Sequence, residues 1–91
     1  MAHRLADGIE FTRVGRTYYL YQPSMGKGED TLFTFDGSAY EMFHGMVEGD
    51  DKSAISDRVL TRYKHADREA VVYDLSVFIE QLVKAGVLTR N

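Results

Sequence analysis

The N-terminal part of the chain carries the patterns of strands. Residues 9–12 alternate apolar and polar side chains with a period of two, which predicts a strand with one buried face. Residues 17–22 contain three tyrosines and a leucine, and residues 31–35 are rich in β-branched and aromatic side chains, so each is also predicted to be a strand. Gly15 occupies the first central position of a two-residue turn between the first two strands, where a tight hairpin requires a positive φ. The link before the third strand contains Pro23 and two glycines, so we expect it to be a flexible connection.

From residue 36 onward the apolar spacing changes to about 3.6 residues, which predicts three amphipathic helices. The predicted N-caps of these helices are, in chain order, Asp36 or Ser38, then Ser53, then Asp67. Ser38 and Glu41 have the spacing of a capping box, in which each side chain bonds the backbone N–H of the other residue. The third helix is the most strongly periodic segment, over residues 68–85, and Gly86 is placed to end it.

Three strands followed by three helices predict an α+β fold, in which an N-terminal three-stranded antiparallel sheet packs on a three-helix bundle. The order is similar to that of a winged helix-turn-helix domain. A chain of 91 residues has room for one domain, which we place at residues 9–88. We expect a flexible N-terminal tail over residues 1–8 and a C-terminal tail over residues 89–91.

The composition of the chain argues against several functional classes and excludes others. The 11 basic and 14 acidic side chains give a formal charge of −3, so the chain as a whole does not attract nucleic-acid phosphates or anionic lipid. Cysteine is missing, which excludes disulfides, thiolate catalysis and cysteine-ligated metals and fits a reducing compartment. The sequence has no secretory signal and no transmembrane segment, so we expect a cytoplasmic protein without a membrane partner.

Several of these segments occur together in a known family. They are residues 32–40, 47–49 and 53–55, Tyr63, residues 72–82 and residues 86–88. Each segment alone is a cap, a turn or an apolar period, but their order and spacing along residues 9–88 resemble the PqqD-like family. Members of that family are recognition elements for ribosomally made peptides that are modified after translation. The founding type serves pyrroloquinoline quinone biosynthesis.

The resemblance implies a non-catalytic adaptor that binds the leader segment of a precursor peptide as an added strand. It also implies a modifying enzyme that receives this peptide, such as a radical S-adenosylmethionine protein. The leader would lie along the third strand, in the groove between that strand and the third helix. The residues that the resemblance assigns to peptide binding are Thr31, Leu32, Phe33, Thr34, Phe35, Val71, Asp74, Leu75 and Phe78.

The residues themselves add one argument and leave two questions open. The third strand carries no proline and no charge, which are the usual devices that protect a sheet edge, so a peptide or a second copy of the chain could pair with it. The same strand also fits a simpler interpretation, in which Phe33 and Phe35 only fill the core. The sequence does not determine whether the margin of the third helix that carries Phe78 or the one that carries Val83 faces this strand.

Other chemistry has weaker support. Glu41, His44 and Glu48 share one side of the first helix, but no second helix supplies matching ligands, so we predict no metal site and no cofactor. No local arrangement pairs a nucleophile with a base and an orienting acid, and we do not expect enzyme activity from the isolated chain.

The alternative function is that of a winged-helix DNA-binding regulator, in which the second and third helices form a helix-turn-helix. The outward residues of the third helix include three acids and two bases, a face that repels phosphate. These outward residues are Arg68, Glu69, Tyr73, Asp74, Glu80, Gln81 and Lys84. Arg58, Arg62 and Lys64 give the second helix a small basic patch, which keeps the alternative open.

Overall fold

The computed structural model describes residues 3–24 and 28–90. Over these residues the chain forms strands and helices in the order β1 (His3–Leu5), β2 (Glu10–Val14), β3 (Thr17–Gln22), β4 (Thr31–Phe35), α1 (Gly37–Val47), α2 (Lys52–Arg62), α3 (Arg68–Lys84) and β5 (Leu88–Arg90). The ends of the predicted tails and the centre of the predicted flexible link, at residues 1–2, 91 and 25–27, lie outside the described residues.

The predicted α+β fold is confirmed. Strands β2, β3 and β4 form an antiparallel sheet in that order, and the three helices follow it in the chain. The hairpin between β2 and β3 has the expected two-residue turn, with Val14 paired to Thr17 and Gly15 at a φ of +60°. Burial alternates along β3, because Tyr18 and Leu20 are buried against the helices while Tyr19 and Tyr21 are exposed on the outer face.

The chain ends differ from the predicted tails. Strand β1 pairs antiparallel with β5, with His3 opposite Arg90 and Leu5 opposite Leu88, and forms a separate two-stranded sheet. Gly86 ends α3 as predicted, at a φ of +81°, and turns the chain so that Val87 and Leu88 are buried. Strands of three residues carry too little alternation to be recognised from sequence, and this pairing joins opposite ends of the chain.

The helix caps are partly as predicted. Asp67 caps α3, with its carboxylate accepting a hydrogen bond from the N–H of Ala70 at 3.2 Å. The prediction of Ser53 for α2 is wrong, because the carboxylate of Asp51 accepts the bond from the N–H of Ala54 at 2.8 Å. The N-cap of α1 is Asp36, and the predicted capping box does not form.

The core lies between the inner face of the three-stranded sheet and the helices. Phe43 of α1 is at its centre, with 0% of its side chain exposed and edge-to-face contacts to Phe11 and Tyr18. Gly45 lets α1 approach α2, because a Cβ at this position would lie 2.7 Å from Cγ1 of Ile55. Within the part of the chain that the structure describes, no helix has the length and apolar character needed to cross a bilayer.

Candidate functional site

Strand β4 is one edge of the three-stranded sheet, and the register decides which of its backbone groups are open. A two-residue hairpin closes on a hydrogen-bonded pair, here Val14 and Thr17, and hydrogen-bonded pairs alternate along each strand. Leu20 of β3 therefore directs its N–H and C=O toward β4, where it is paired with Phe33. It follows that Leu32 and Thr34 direct their N–H and C=O away from β3, toward the open edge.

The side chains of β4 alternate between the two faces of the sheet. Phe35 is buried and Phe33 is half-buried on the face toward the helices. Thr31 and Thr34 are exposed, and Leu32 has 76% of its surface exposed on the outer face of the sheet. The strand thus presents two open backbone positions, with an aromatic side chain beside them on the inner face.

Helix α3 lies on the inner side of this edge, and we call the region between β4 and α3 the groove. The ring of Phe78 meets the ring of Phe35 edge to face, with centroids 5.3 Å apart, and Phe33 lies 6.2 Å from Phe35 on the same face. This contact decides that the Phe78 margin of α3 faces β4, a point that the sequence left open. Phe33 and Phe78 are both half-buried, so each keeps part of its ring available to a ligand in the groove.

The other predicted α3 residues divide into two groups. Val71 and Leu75 are buried in the core, where they support the groove from below and have almost no surface left for a ligand. Asp74 is exposed and lies one helical turn before Phe78, on the same side of α3. Its carboxylate therefore lies on the margin of α3 that carries Phe78.

Hydrogen bonds to Asp30, which the sequence interpretation missed, connect the residue before β4 to β3 and to the link that follows β3. The hydroxyl of Tyr21 donates a hydrogen bond to Asp30 Oδ2 at 2.5 Å, and the backbone N–H of Ser24 donates to Asp30 Oδ1 at 2.9 Å. The hydrogen bond from Tyr21, and after it the bond from Ser24, lowers the pKa of Asp30 below its usual value of 3.8. The signal was present in the sequence only as a turn-favouring aspartate next to a strand.

We expect Tyr21→Phe to raise the pKa of Asp30 toward 3.8, because the phenol that stabilises the carboxylate is removed. In the wild-type chain this contribution to stability is present above pH 3.8 and is lost as the pH falls through the lower pKa of the folded state. NMR titration of the side-chain carboxyl carbon measures the shift. Tyr19→Phe is the matched control, since Tyr19 is exposed on the same face. An Asp30 titration that is the same in all three proteins would contradict this assignment.

Comparisons with known proteins give a family and a structural neighbour for this chain. The family model described as coenzyme PQQ synthesis protein D (PqqD) matches residues 24–88, which include β4, all three helices and the groove between β4 and α3. The chain belongs to the PqqD family. None of the curated proteins matches it. The PqqD fold also appears in the solved structure of TbiB1 in complex with the TbiA(beta) leader peptide, with a TM-score of 0.82 and 22% identity. That match covers 97% of this chain and 96% of the TbiB1 chain.

Two of the three residues weighed as metal ligands have other partners in this PqqD domain. Glu41 is buried and pairs with Arg16, whose guanidinium lies 4.8 Å from the ring centroid of Tyr40. His44 Nδ1 is 2.6 Å from the Tyr18 hydroxyl, and burial raises the pKa of that phenol. Among residues 3–24 and 28–90, no group of three or more His, Cys, Asp or Glu side chains is arranged to hold a metal ion.

The basic patch on α2 of this PqqD domain is partly neutralised. Arg58 pairs with Asp50 at 2.8 Å, and Arg68 at the start of α3 pairs with Asp57 of α2. An arginine that is already paired gains less from a phosphate, because binding would first break the existing ion pair. The structure therefore weakens the feature on which the DNA-binding interpretation depends.

Proposed function

We propose that this PqqD-family chain is a non-catalytic adaptor that captures the leader segment of a ribosomally made precursor peptide and presents it to a modifying enzyme. The observation that carries the proposal is the open edge of β4 beside the groove lined by Phe33 and Phe78. Two comparisons support this proposal. They are the membership of the PqqD family and the similarity of the fold to TbiB1, which was solved in complex with a leader peptide.

The proposed binding mode is the addition of a fourth strand to the sheet. Backbone groups of the leader would bond the outward N–H and C=O of Leu32 and Thr34, which gives affinity without a demand for a particular sequence. Side chains of an added strand alternate between the two faces, so the leader residues opposite Phe33 and Phe35 would enter the groove toward Phe78. We therefore infer a leader segment with apolar residues at alternate positions.

The adaptor increases the rate of modification through local concentration. A leader held on β4 keeps the linked core peptide near the enzyme, at an effective concentration on the order of millimolar for a short flexible connection. The chemistry is then supplied by the partner, for which we propose a radical S-adenosylmethionine enzyme. A small domain suffices for this task, because strand addition requires one edge and one helix margin rather than an enclosed cavity.

The direct experiment is an NMR titration of the full chain with the cognate leader. We expect the amide signals of residues 31–35 and of α3 around Phe78 to shift saturably. Shifts confined to other parts of the chain would rule out this site. Sedimentation with and without the leader tests whether β4 also pairs with a second copy, in which case the leader should dissociate the dimer.

Phe78→Ala is expected to weaken leader binding about five- to tenfold, because it removes the helical wall of the groove and about 1 kcal/mol or more of apolar contact. Val72→Ala is the matched control, since Val72 is exposed on the other margin of α3 and should leave the affinity within about twofold. Calorimetric titration with the leader gives both values. Equal losses in the two variants would show that the groove is not the binding site.

A further inference from the structure

A second binding feature lies at the opposite edge of the sheet from β4. A cleft of about 270 Å³ opens between β1, β5, β2 and the C-terminal end of α1. Its apolar lining residues are Leu5, Phe11, Phe43, Met46, Val47 and Leu88. Phe11 and Val47 are 41% and 40% exposed, so apolar surface at the mouth of the cleft remains in contact with water. Covering this surface with another apolar group is favourable.

Strand β2 supplies open backbone groups at the same place. Val14 is hydrogen-bonded to Thr17 across the hairpin, so Arg13 and Phe11, at alternate positions, direct their N–H and C=O away from β3. Strand β1 is paired with β5 and not with β2, which leaves this edge without a strand partner among the described residues. Phe11 belongs to β2 and also lines the cleft, so the open edge and the apolar cleft meet at this residue.

The charge at the cleft has one sign. Among the described residues that line the cleft, Arg4 is the only charged one, and His3 is the only other one with an ionisable side chain. Arg4 is exposed, and it forms no ion pair with any residue in the described part of the chain. A ligand that places a carboxylate beside an apolar side chain would complement both features.

We propose that this cleft binds an extended, apolar and acidic segment of the modifying enzyme, with one large apolar side chain in the cleft and a carboxylate two positions along on Arg4, because alternate side chains of a strand share a face. A peptide segment fits better than a small molecule because the open edge of β2 offers backbone hydrogen bonds beside the cleft. The identity of the partner rests on the adaptor function proposed above. Strands β2 and β4 flank β3, about 10 Å apart, so leader and enzyme would occupy opposite edges of one sheet.

The test titrates the full chain with capped tetrapeptides as probes. Binding is followed through the amide shifts of the chain in NMR spectra. The first probe has the sequence phenylalanine, valine, glutamate, valine, and two analogues carry glutamine or lysine in place of glutamate. We expect the first probe to shift the amides of Leu5, Phe11, Val47 and Leu88. It should bind about two- to fivefold more tightly than the glutamine analogue, which is the effect of one exposed ion pair. The lysine analogue should bind most weakly.

Two variants make the result specific. Arg4→Gln should remove the preference for glutamate over glutamine, and Val47→Trp should fill the cleft and abolish binding of all three probes. If Val47→Trp does not fold, as judged by its amide spectrum, the charge preference in Arg4→Gln still decides the outcome. The proposal is overturned if no probe binds saturably, if the probes shift residues 31–35 instead, or if Arg4→Gln keeps the preference.

The same proteins separate this proposal from the adaptor function. Leader titrations of Arg4→Gln and Val47→Trp should still shift residues 31–35, whereas both variants should bind the purified modifying enzyme more weakly than the wild-type chain. Enzyme binding at wild-type affinity in both variants would refute the assigned partner even if the probes bind. A wild-type chain that fails to bind leader would refute the adaptor function and leave the probe result standing.

Discussion

Leu32→Pro is expected to weaken leader binding at least about tenfold while the sheet remains folded. The N–H of Leu32 points to the open edge, so proline removes a donor that only the leader uses and places its ring where the added strand would lie. One lost backbone hydrogen bond accounts for about 1 kcal/mol, and the steric conflict adds to it. Calorimetric titration with the cognate leader measures the affinity, and circular dichroism checks the fold.

Two further variants at this edge serve as controls. Leu32→Ala keeps the backbone N–H and removes a side chain that is 76% exposed, so we expect less than about a threefold loss of affinity. Phe33→Pro removes a donor that bonds Leu20 of β3, so it should destabilise the sheet itself. If folded Leu32→Pro bound the leader as tightly as the wild-type chain, strand addition at β4 would be refuted.

Phe43→Ala is expected to produce the largest loss of stability, about 3–5 kcal/mol of the free energy of unfolding. Phe43 is fully buried, and its ring contacts Tyr18 and Phe11 on the sheet and Phe35 at the end of β4. Domains of this kind are stable by only about 5–15 kcal/mol, so the variant should be close to unfolded at room temperature. Urea denaturation followed by circular dichroism measures the change.

Phe11→Ala is the control for this prediction. Phe11 contacts the same ring of Phe43 but is 41% exposed, so we expect it to cost less than half as much. We also expect Phe43→Ala to disturb the proposed binding site, because the ring of Phe43 contacts Phe35 and the ring of Phe35 contacts Phe78. A smaller loss for Phe43→Ala than for Phe11→Ala would mean that the core is not centred on α1.

The elements that the sequence predicted well are those with a long, regular pattern. Helix α3 repeats its apolar spacing over 17 residues, so local chemistry alone specifies it. The missing elements, β1 and β5, have three residues each, and their stability comes from pairing the two ends of the chain. The helix caps were only partly predictable from sequence. Asp51 and Ser53 are both residue types that favour an N-cap, and the local sequence does not show which of them begins α2.

The same division applies to the candidate site. The uncharged β4 and the apolar arc of α3 are visible in the sequence and define the edge and the helix that bound the groove. The sequence could not separate Val71 and Leu75, which fill the core, from Phe78, which remains at the groove. Helical periodicity gives an arc of apolar residues, but the packing partner decides which part of that arc is covered.

The sequence by itself determined the order of the main elements and the fold class, because these depend on local periodicity, and the lack of charge and proline in β4 marked that strand as an unprotected edge. Only the tertiary structure decided which margin of α3 meets β4, which backbone groups point outward, and that a second cleft lies beside β2. These features depend on contacts between residues far apart in the chain, and no local pattern encodes such distances.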